Sequence, residues 1–174
     1  MKNVMFSKED CSYIKSFFDE SLAIDGNTPK YFTYGETTVK ITKKVSGLCC
    51  DIQNTSLANF ILQRINYLNI KSINSDSVSI IKYSEGDYFG KHRDISRNGY
   101  GAVYKTLVIQ LSDESEYTGG EFCIEEEPQS KQQGCCILFL SSKEHEVRKI
   151  TSGVRYSLTI FLNYTDFIND KSII

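Results

Sequence analysis

Long apolar runs are missing from this sequence; the longest, Cys135 to Leu140, is far too short to span a bilayer. The first residues, Met1 to Phe6, carry neither an h-region nor a small-residue cleavage site, so a cytoplasmic setting without a membrane partner is expected. An excess of one charge is missing as well. Lys and Arg number 20 against 22 Asp and Glu, a formal charge of -2 with the signs interspersed, so no general attraction to nucleic acid or anionic lipid is expected. The six cysteines offer no C-x-x-C spacing; four sit as neighbours, Cys49-Cys50 and Cys135-Cys136, and adjacent strand residues face opposite ways, which makes such pairs poor chelators. They read as small buried or half-buried thiols in a reducing compartment. There is no internal repeat, no low-complexity tract and no visible boundary, so residues 1–174 read as one domain, long enough to bury a core unaided.

Histidine is scarce too: only His92 and His145 occur. His92 closes the stretch Y-S-E-G-D-Y-F-G-K-H-R-D from Tyr83 to Asp94. Side chains at i and i+2 of a strand leave by one face, so the His92 imidazole and the Asp94 carboxylate point into the same space. His145 opens a second strand-like run, through Ile150. Two imidazoles and one carboxylate form the facial triad that leaves coordination positions open on non-haem Fe(II), the arrangement oxygenases use. A structural zinc site would call for four closed ligands where this chain offers three.

Two helices and then strands are expected along the chain. Ser7 to Asp10 reads as a capped start, and Cys11, Ile14, Phe17, Phe18 and Leu22 recur at helical spacing to an end near Ala23. Thr55 caps a second helix with Leu57, Phe60, Ile61, Ile65 and Leu68 on its apolar face. Residues 29–44 read as loop and edge with an early strand from Thr37 to Thr42; Tyr31, Phe32 and Tyr34 there suit either core packing or a pocket mouth. Seven strand-like runs follow, Val78 to Tyr83, Tyr88 to Asp94, Tyr104 to Leu111, Glu121 to Ile124, Cys135 to Leu140, His145 to Ile150 and Val154 to Asn163. The fold class is therefore α+β, an antiparallel sandwich or barrel backed by helices. Glu125 to Pro128 reads as a solvated acidic turn, and residues 95–103, with Gly99 and Gly101 around Tyr100, as a lid or a plain surface connection.

A turn at Thr151-Ser152-Gly153 would pair Lys149 with Arg155 and Val147 with Ser157, and His145 near Thr159, all on one sheet face. Arg155 then stands about four residue steps from His145, on the order of 13 Å along the strand. A short dicarboxylate could bind a metal at one end and the forked guanidinium at the other, with the Ser157 hydroxyl assisting. The plainer role for Arg155 is a salt bridge with Glu144 or Glu146.

These features together resemble the Fe(II)- and 2-oxoglutarate-dependent dioxygenases, and among them the prolyl 4-hydroxylase-like group. The matching set is Tyr83-x-x-Gly86-x-x-Phe89-x-x-His92-x-Asp94, Leu111-Ser112-Asp113, Tyr117-x-Gly119-Gly120-Glu121-Phe122, Pro128, Gly134, Leu138-x-Leu140, His145-Glu146-Val147 and Thr151-x-Gly153-x-Arg155-x-Ser157. It runs over about residues 78–163 in the family's order; the first 75 residues add little. The resemblance implies a double-stranded β-helix, or jelly roll, with the N-terminal helices packed on one sheet. It implies His92, Asp94 and His145 as ligands of Fe(II), Arg155 as partner of the distal carboxylate of 2-oxoglutarate, Ser157 as its assistant, and Tyr83 as a contact of the cosubstrate or the metal's surroundings. The implied reaction converts 2-oxoglutarate and O2 to succinate while hydroxylating an unactivated C–H bond of a peptide, protein or small-molecule substrate, with a peptidyl prolyl-type residue leading. Phe89 stands where a tyrosine is common in the family, and Gln110 where animal-type members often place a cosubstrate-binding tyrosine, so the chain resembles the bacterial-type members more. Asp94 argues against a halogenase, and Phe161, six residues after Arg155, stands where an alkylated-base demethylase would carry a second arginine. A catalytically silent jelly-roll module would need neither the triad nor Arg155.

Overall fold

The computed structural model describes residues 6–25, 30–34, 37–41, 47–94 and 103–168. Helix α1 (Lys8–Lys15) starts from a capping box in which the Ser7 hydroxyl accepts from the Asp10 N–H and the Asp10 carboxylate accepts from the Ser7 N–H. It stops earlier than its periodicity predicts. The Ser16 hydroxyl donates to the Tyr13 carbonyl, and Asp19 takes both the N–H and the hydroxyl of Ser21, local bonds that compete with further helix. Leu22, expected on the apolar face, is 71% exposed, while Phe17 and Phe18 still reach the edge of the core. Helix α2 (Thr55–Arg64) is capped by Asn54, one residue before the expected cap, through a 2.9 Å bond from the Leu57 N–H. Among the described residues no helix is long and apolar enough to cross a membrane.

The strands are β1 (Ile24–Asp25), β2 (Lys30–Tyr34), β3 (Thr37–Ile41), β4 (Leu48–Asp51), β5 (Val78–Tyr83), β6 (Phe89–His92) and β7 (Lys105–Gln110). They continue as β8 (Tyr117–Gly119), β9 (Phe122–Ile124), β10 (Glu127–Pro128), β11 (Cys136–Leu140), β12 (His145–Val147), β13 (Ile150–Gly153) and β14 (Arg155–Leu162). The larger sheet has the order β1-β4-β5-β14-β7-β11 and the smaller one β10-β9-β12-β6, all pairs antiparallel, and the short ladders β13-β8 and β2-β3 complete the set. This is a jelly roll. β3 meets the early strand expected from Thr37 to Thr42, and β2 pairs with it antiparallel where loop and edge were expected; the side chains of Tyr31, Phe32 and Tyr34 lie outside the described ones.

The hairpin expected over residues 145–162 does not form. β12 pairs with β6 and β9, β13 with β8, and β14 lies between β5 and β7, so Arg155 faces Tyr83 and Thr159 faces Ser79 and Val108. The chain leaves the smaller sheet at Arg148, whose N–H is taken by the Glu121 carbonyl, and Ile150 then bonds the Asp87 carbonyl. Long ladders to β5 and β7 satisfy far more backbone groups than a local hairpin would.

Alternation along the larger sheet divides its labour. Leu107 and Ile109 of β7, Leu158, Ile160 and Leu162 of β14, and Val78 and Ile80 of β5 share one core with Cys11 and Ile14 of α1 and Leu57 and Ile61 of α2, so both helices cover that face. The residues between them point into the roll. Tyr83 and Val108 join Tyr117, Phe122, Ile124, Phe139, Val147 and Ile150 in a second cluster between the sheets. All six thiols are free, Cys49 and Cys136 half-buried and the others buried. Of the expected acidic turn, Glu125 and Glu126 turn, exposed and paired to Lys143 and Lys91, while Glu127 and Pro128 form β10.

Candidate active site

His92 ends β6, His145 begins β12, and the two residues are direct register partners. Asp94 follows β6 by two residues, its N–H held by the Ser141 carbonyl at 2.9 Å. The three side chains offer ligand atoms that all lie within 4.8 Å of one another. His145 Nε2 stands 3.2 Å from Asp94 Oδ2 and His92 Nε2 stands 3.5 Å from Oδ1.

The outer ring nitrogens decide what converges there. His92 Nδ1 lies 2.8 Å from the Gly90 carbonyl and His145 Nδ1 lies 3.1 Å from the Lys143 carbonyl. A carbonyl only accepts, so each Nδ1 carries a proton and each Nε2 is the ring atom that faces the carboxylate. The carboxylate calls for a positive charge there, a proton on Nε2 or a metal ion in its place, and backbone-anchored imidazoles are the usual supports of a metal ligand set. The donor set therefore fits a divalent metal, with ring orientation fixed in advance. Phe89 stacks flat on His92, centroids 3.7 Å apart, and Phe139 meets His145 edge-on at 4.8 Å. Burial opposes the Asp94 charge, but the adjacent His145, then His92, and the Thr106 hydroxyl outweigh it and hold the carboxyl below its ordinary range.

Arg155 lies on the same interior face. It is 1% exposed, Nη1 donating to Ser157 Oγ at 3.2 Å and Nη2 to Gln110 Oε1 at 2.8 Å. Both acceptors are neutral, and neither Glu144 nor Glu146 bonds it; those acids lie beside Lys91 and Arg148 instead. Arg155 Nε is buried without a hydrogen-bond partner. The Tyr83 ring packs 5.3 Å from the guanidinium, and burial pushes the Tyr83 phenol well above its ordinary range. A buried cation held by neutral groups fits an incoming anion.

β7 connects the two halves. Thr106 Oγ1 donates to Asp94 Oδ2 at 2.9 Å and lies 2.9 Å from Ser141 Oγ, while Gln110 reaches Arg155. Thr106, Val108 and Gln110 share one face, and four residue steps separate its ends, on the order of 13 Å of backbone. The triad and the arginine are thus linked along β7 rather than across a hairpin. Sequence reasoning did not single out Thr106 or Ser141, named Tyr117 only as part of the family motif without a role, and noted Gln110 only as a departure. The signal for two of them is present: in T-L-V-I-Q the polar residues fall four apart, on one face of an otherwise apolar strand.

Gly119, with φ +71°, brings β8 against β13 so closely that a Cβ would collide with the Lys149 carbonyl oxygen; this sets Tyr117 at the rim of the arginine. Residues 95–102, including Tyr100, lie outside the described residues, and with them the expected lid. An open groove lined by Lys105, Ile124, Leu138, Phe139, Leu140 and Lys143 touches the back of the His145 wall but contains none of the candidate site residues.

The same residues carry the family likeness. Residues 78–163 match the model of the 2OG-Fe(II) oxygenase superfamily. The chain belongs to that superfamily. Among its relatives is a PKHD-type hydroxylase of Prochlorococcus marinus, 30% identical over 147 residues that make up 79% of this chain and 64% of that protein. The chain spans 36% to 46% of the length of three further PKHD-type hydroxylases that it matches. The fold is shared with a prolyl hydroxylase of Trichoplax adhaerens solved with a hypoxia inducible factor peptide fragment, at TM-score 0.63 and 13% identity over 98% of this chain and 83% of that one. It is shared too with the viral collagen prolyl hydroxylase of Paramecium Bursaria Chlorella virus-1 solved with 2OG, at TM-score 0.58 and 16% identity over 91% of each chain. Membership of the superfamily implies Fe(II), 2-oxoglutarate and O2.

Proposed function

We propose that this chain is an Fe(II)- and 2-oxoglutarate-dependent dioxygenase that hydroxylates an unactivated C–H bond, with His92, Asp94 and His145 as the iron ligands. The observation that carries this reading is the inward turn of both Nε2 atoms toward the Asp94 carboxylate, on the interior face that also holds an arginine with no acid partner among the described residues. Fe(II) would supply the activation of O2 that protein side chains cannot.

The chain's own residues do the rest. The Gly90 and Lys143 carbonyls hold the imidazoles in the ligating tautomer, and Thr106 fixes the Asp94 carboxylate. Arg155, steadied by Ser157 and Gln110, takes the distal carboxylate of 2-oxoglutarate, which neutralises the buried guanidinium and sets the cosubstrate's register against the metal. Tyr83 walls the site beneath that cation and keeps water away from it.

For the substrate, the reading favours a peptidyl, prolyl-type residue, supported by the prolyl hydroxylases that share the fold and the hydroxylases related in sequence. A cytoplasmic setting belongs to the same proposal and agrees with six free thiols. The test is anaerobic loading with Fe(II) and 2-oxoglutarate, then O2 with a panel of proline-containing peptides and free amino acids. Succinate release coupled to a product mass gain of about 16 daltons, the addition of one oxygen, supports it. Hydroxylation of free amino acids with no peptide turned over overturns the peptidyl part, and no succinate with any substrate overturns the activity.

A further inference from the structure

The tip of the β9-β10 hairpin carries residues that its shape disfavours. Ile124 pairs with Glu127, which leaves a two-residue turn of Glu125 and Glu126 with φ of 51° and 72°. A turn with both central residues left-handed favours Asn-Gly, because a Cβ crowds the backbone there. Among the described residues only one other non-glycine has a positive φ, Asn69, where the short helical turn Asn66–Leu68 ends. Strain of this kind persists where the surroundings hold it, and here both carboxylates are held. Glu125 Oε2 meets Lys143 Nζ and Glu126 Oε1 meets Lys91 Nζ, each at 2.6 Å, and the Glu125 N–H donates to the Glu144 carbonyl at 2.8 Å. Glu144 stands farther from the Lys91 ammonium, at 4.0 Å.

Both lysines sit beside the carbonyls that orient the histidines. Lys143 itself carries the carbonyl that takes His145 Nδ1, and the Gly90 carbonyl that takes His92 Nδ1 belongs to the peptide bond joining Gly90 to Lys91. β6 ends the smaller sheet, so the turn reaches it past β12, across two strand spacings or about 10 Å. An Asn-Gly turn would relieve the backbone but could not span that distance. We propose that the Glu125-Glu126 turn is an outer brace of the metal site: through Lys91 and Lys143 it holds the Gly90 and Lys143 carbonyls, and with them both imidazoles, in the ligating geometry, and so slows loss of the metal. Its members are positioning residues, and the left-handed backbone is the stability given up for the brace. This rests on His92, Asp94 and His145 being the metal ligands and adds the exposed groups that steady them.

The discriminating experiment measures metal retention rather than turnover. Wild type, the double variant Glu125→Asn/Glu126→Gly and the double variant Lys91→Gln/Lys143→Gln are loaded with Mn(II); affinity is read by equilibrium dialysis and release by chelator competition. Metal-free Glu125→Asn/Glu126→Gly should unfold at or above the wild-type temperature, its turn being relaxed, yet bind Mn(II) about fivefold more weakly and release it faster, as the loss of two exposed ion pairs warrants. The lysine variant separates bracing from net charge. Removing two cations near a metal site raises cation affinity by electrostatics alone, whereas the brace requires a loss of similar size. In about 1 M salt, where the screening length is about 3 Å, wild type should approach both variants. Wild-type affinity in Glu125→Asn/Glu126→Gly, a gain in Lys91→Gln/Lys143→Gln, or a Glu125→Asn/Glu126→Gly that unfolds below wild type each overturn the brace and leave the triad standing. Wild type that takes up no Mn(II) overturns the triad reading, and the brace with it.

Discussion

Replacing Arg155 with Met should separate stability from binding, because the two depend on the guanidinium with opposite sign. The side chain is 1% exposed and bears a positive charge hydrogen-bonded to Ser157 Oγ and Gln110 Oε1. An isosteric apolar replacement relieves a desolvation cost of several kcal/mol while leaving two neutral acceptors short of a donor, at about 1–3 kcal/mol each. These nearly cancel, so metal-free Arg155→Met should unfold within about 1 kcal/mol of wild type. Cosubstrate binding has no such compensation: a charge-assisted contact is lost in a desolvated site, about 3 kcal/mol, or somewhat over a hundredfold in Kd. Urea unfolding and calorimetric titration of the Mn(II)-loaded protein with 2-oxoglutarate read the two quantities separately. A variant that unfolds several kcal/mol more easily yet binds 2-oxoglutarate as wild type does would make Arg155 a structural residue and refute the reasoning.

Three further outcomes follow from the same contacts. Thr106→Val removes the 2.9 Å bond to Asp94 and should weaken Mn(II) binding roughly tenfold while changing 2-oxoglutarate affinity of the loaded protein little; unchanged metal affinity in equilibrium dialysis would remove Thr106 from the metal's support. Asp10 is held below the ordinary aspartate range chiefly by Arg64 at 2.7 Å and also by the cap to Ser7. Its contribution is therefore present above the unfolded pKa of about 4 and disappears as pH falls through the lower folded value; Asp10→Asn should cost about 1 kcal/mol at pH 7 and converge with wild type in acid, which pH-dependent urea unfolding checks. Leu158, fully buried between β14 and the helices, should cost about 3 kcal/mol as Leu158→Ala with no change in metal affinity.

Legibility in the sequence followed the range of the interaction. β5 runs from Val78 to Tyr83 as expected, because Val78 and Ile80 on one face and Ile81 and Tyr83 on the other give apolar residues to both cores. The clustering of His92, Asp94 and His145 was legible because the two histidines sit at strand ends and Asp94 follows one of them by two residues. α1 was read too long because Phe17 and Phe18 do reach the core, only from a turn rather than a helix. β8 was invisible, its three residues too few to show alternation and ending in Gly119. The hairpin after His145 failed for a deeper reason: adjacency in sequence favours a hairpin, whereas a jelly roll sends successive strands to different sheets. The contacts that complete the site, Thr106 to Asp94 and Gln110 to Arg155, depend on that long-range register.

The central claim is that His92, Asp94 and His145 jointly hold one Fe(II). Anaerobic equilibrium titration of wild type, His92→Ala, Asp94→Ala and His145→Ala with Fe(II), each variant first shown folded by circular dichroism, tests it without reference to any substrate. The account predicts one ion per wild-type chain and at least about a hundredfold weaker binding in every variant, since each removes one of only three protein ligands. A variant that binds Fe(II) with wild-type stoichiometry and affinity would contradict it.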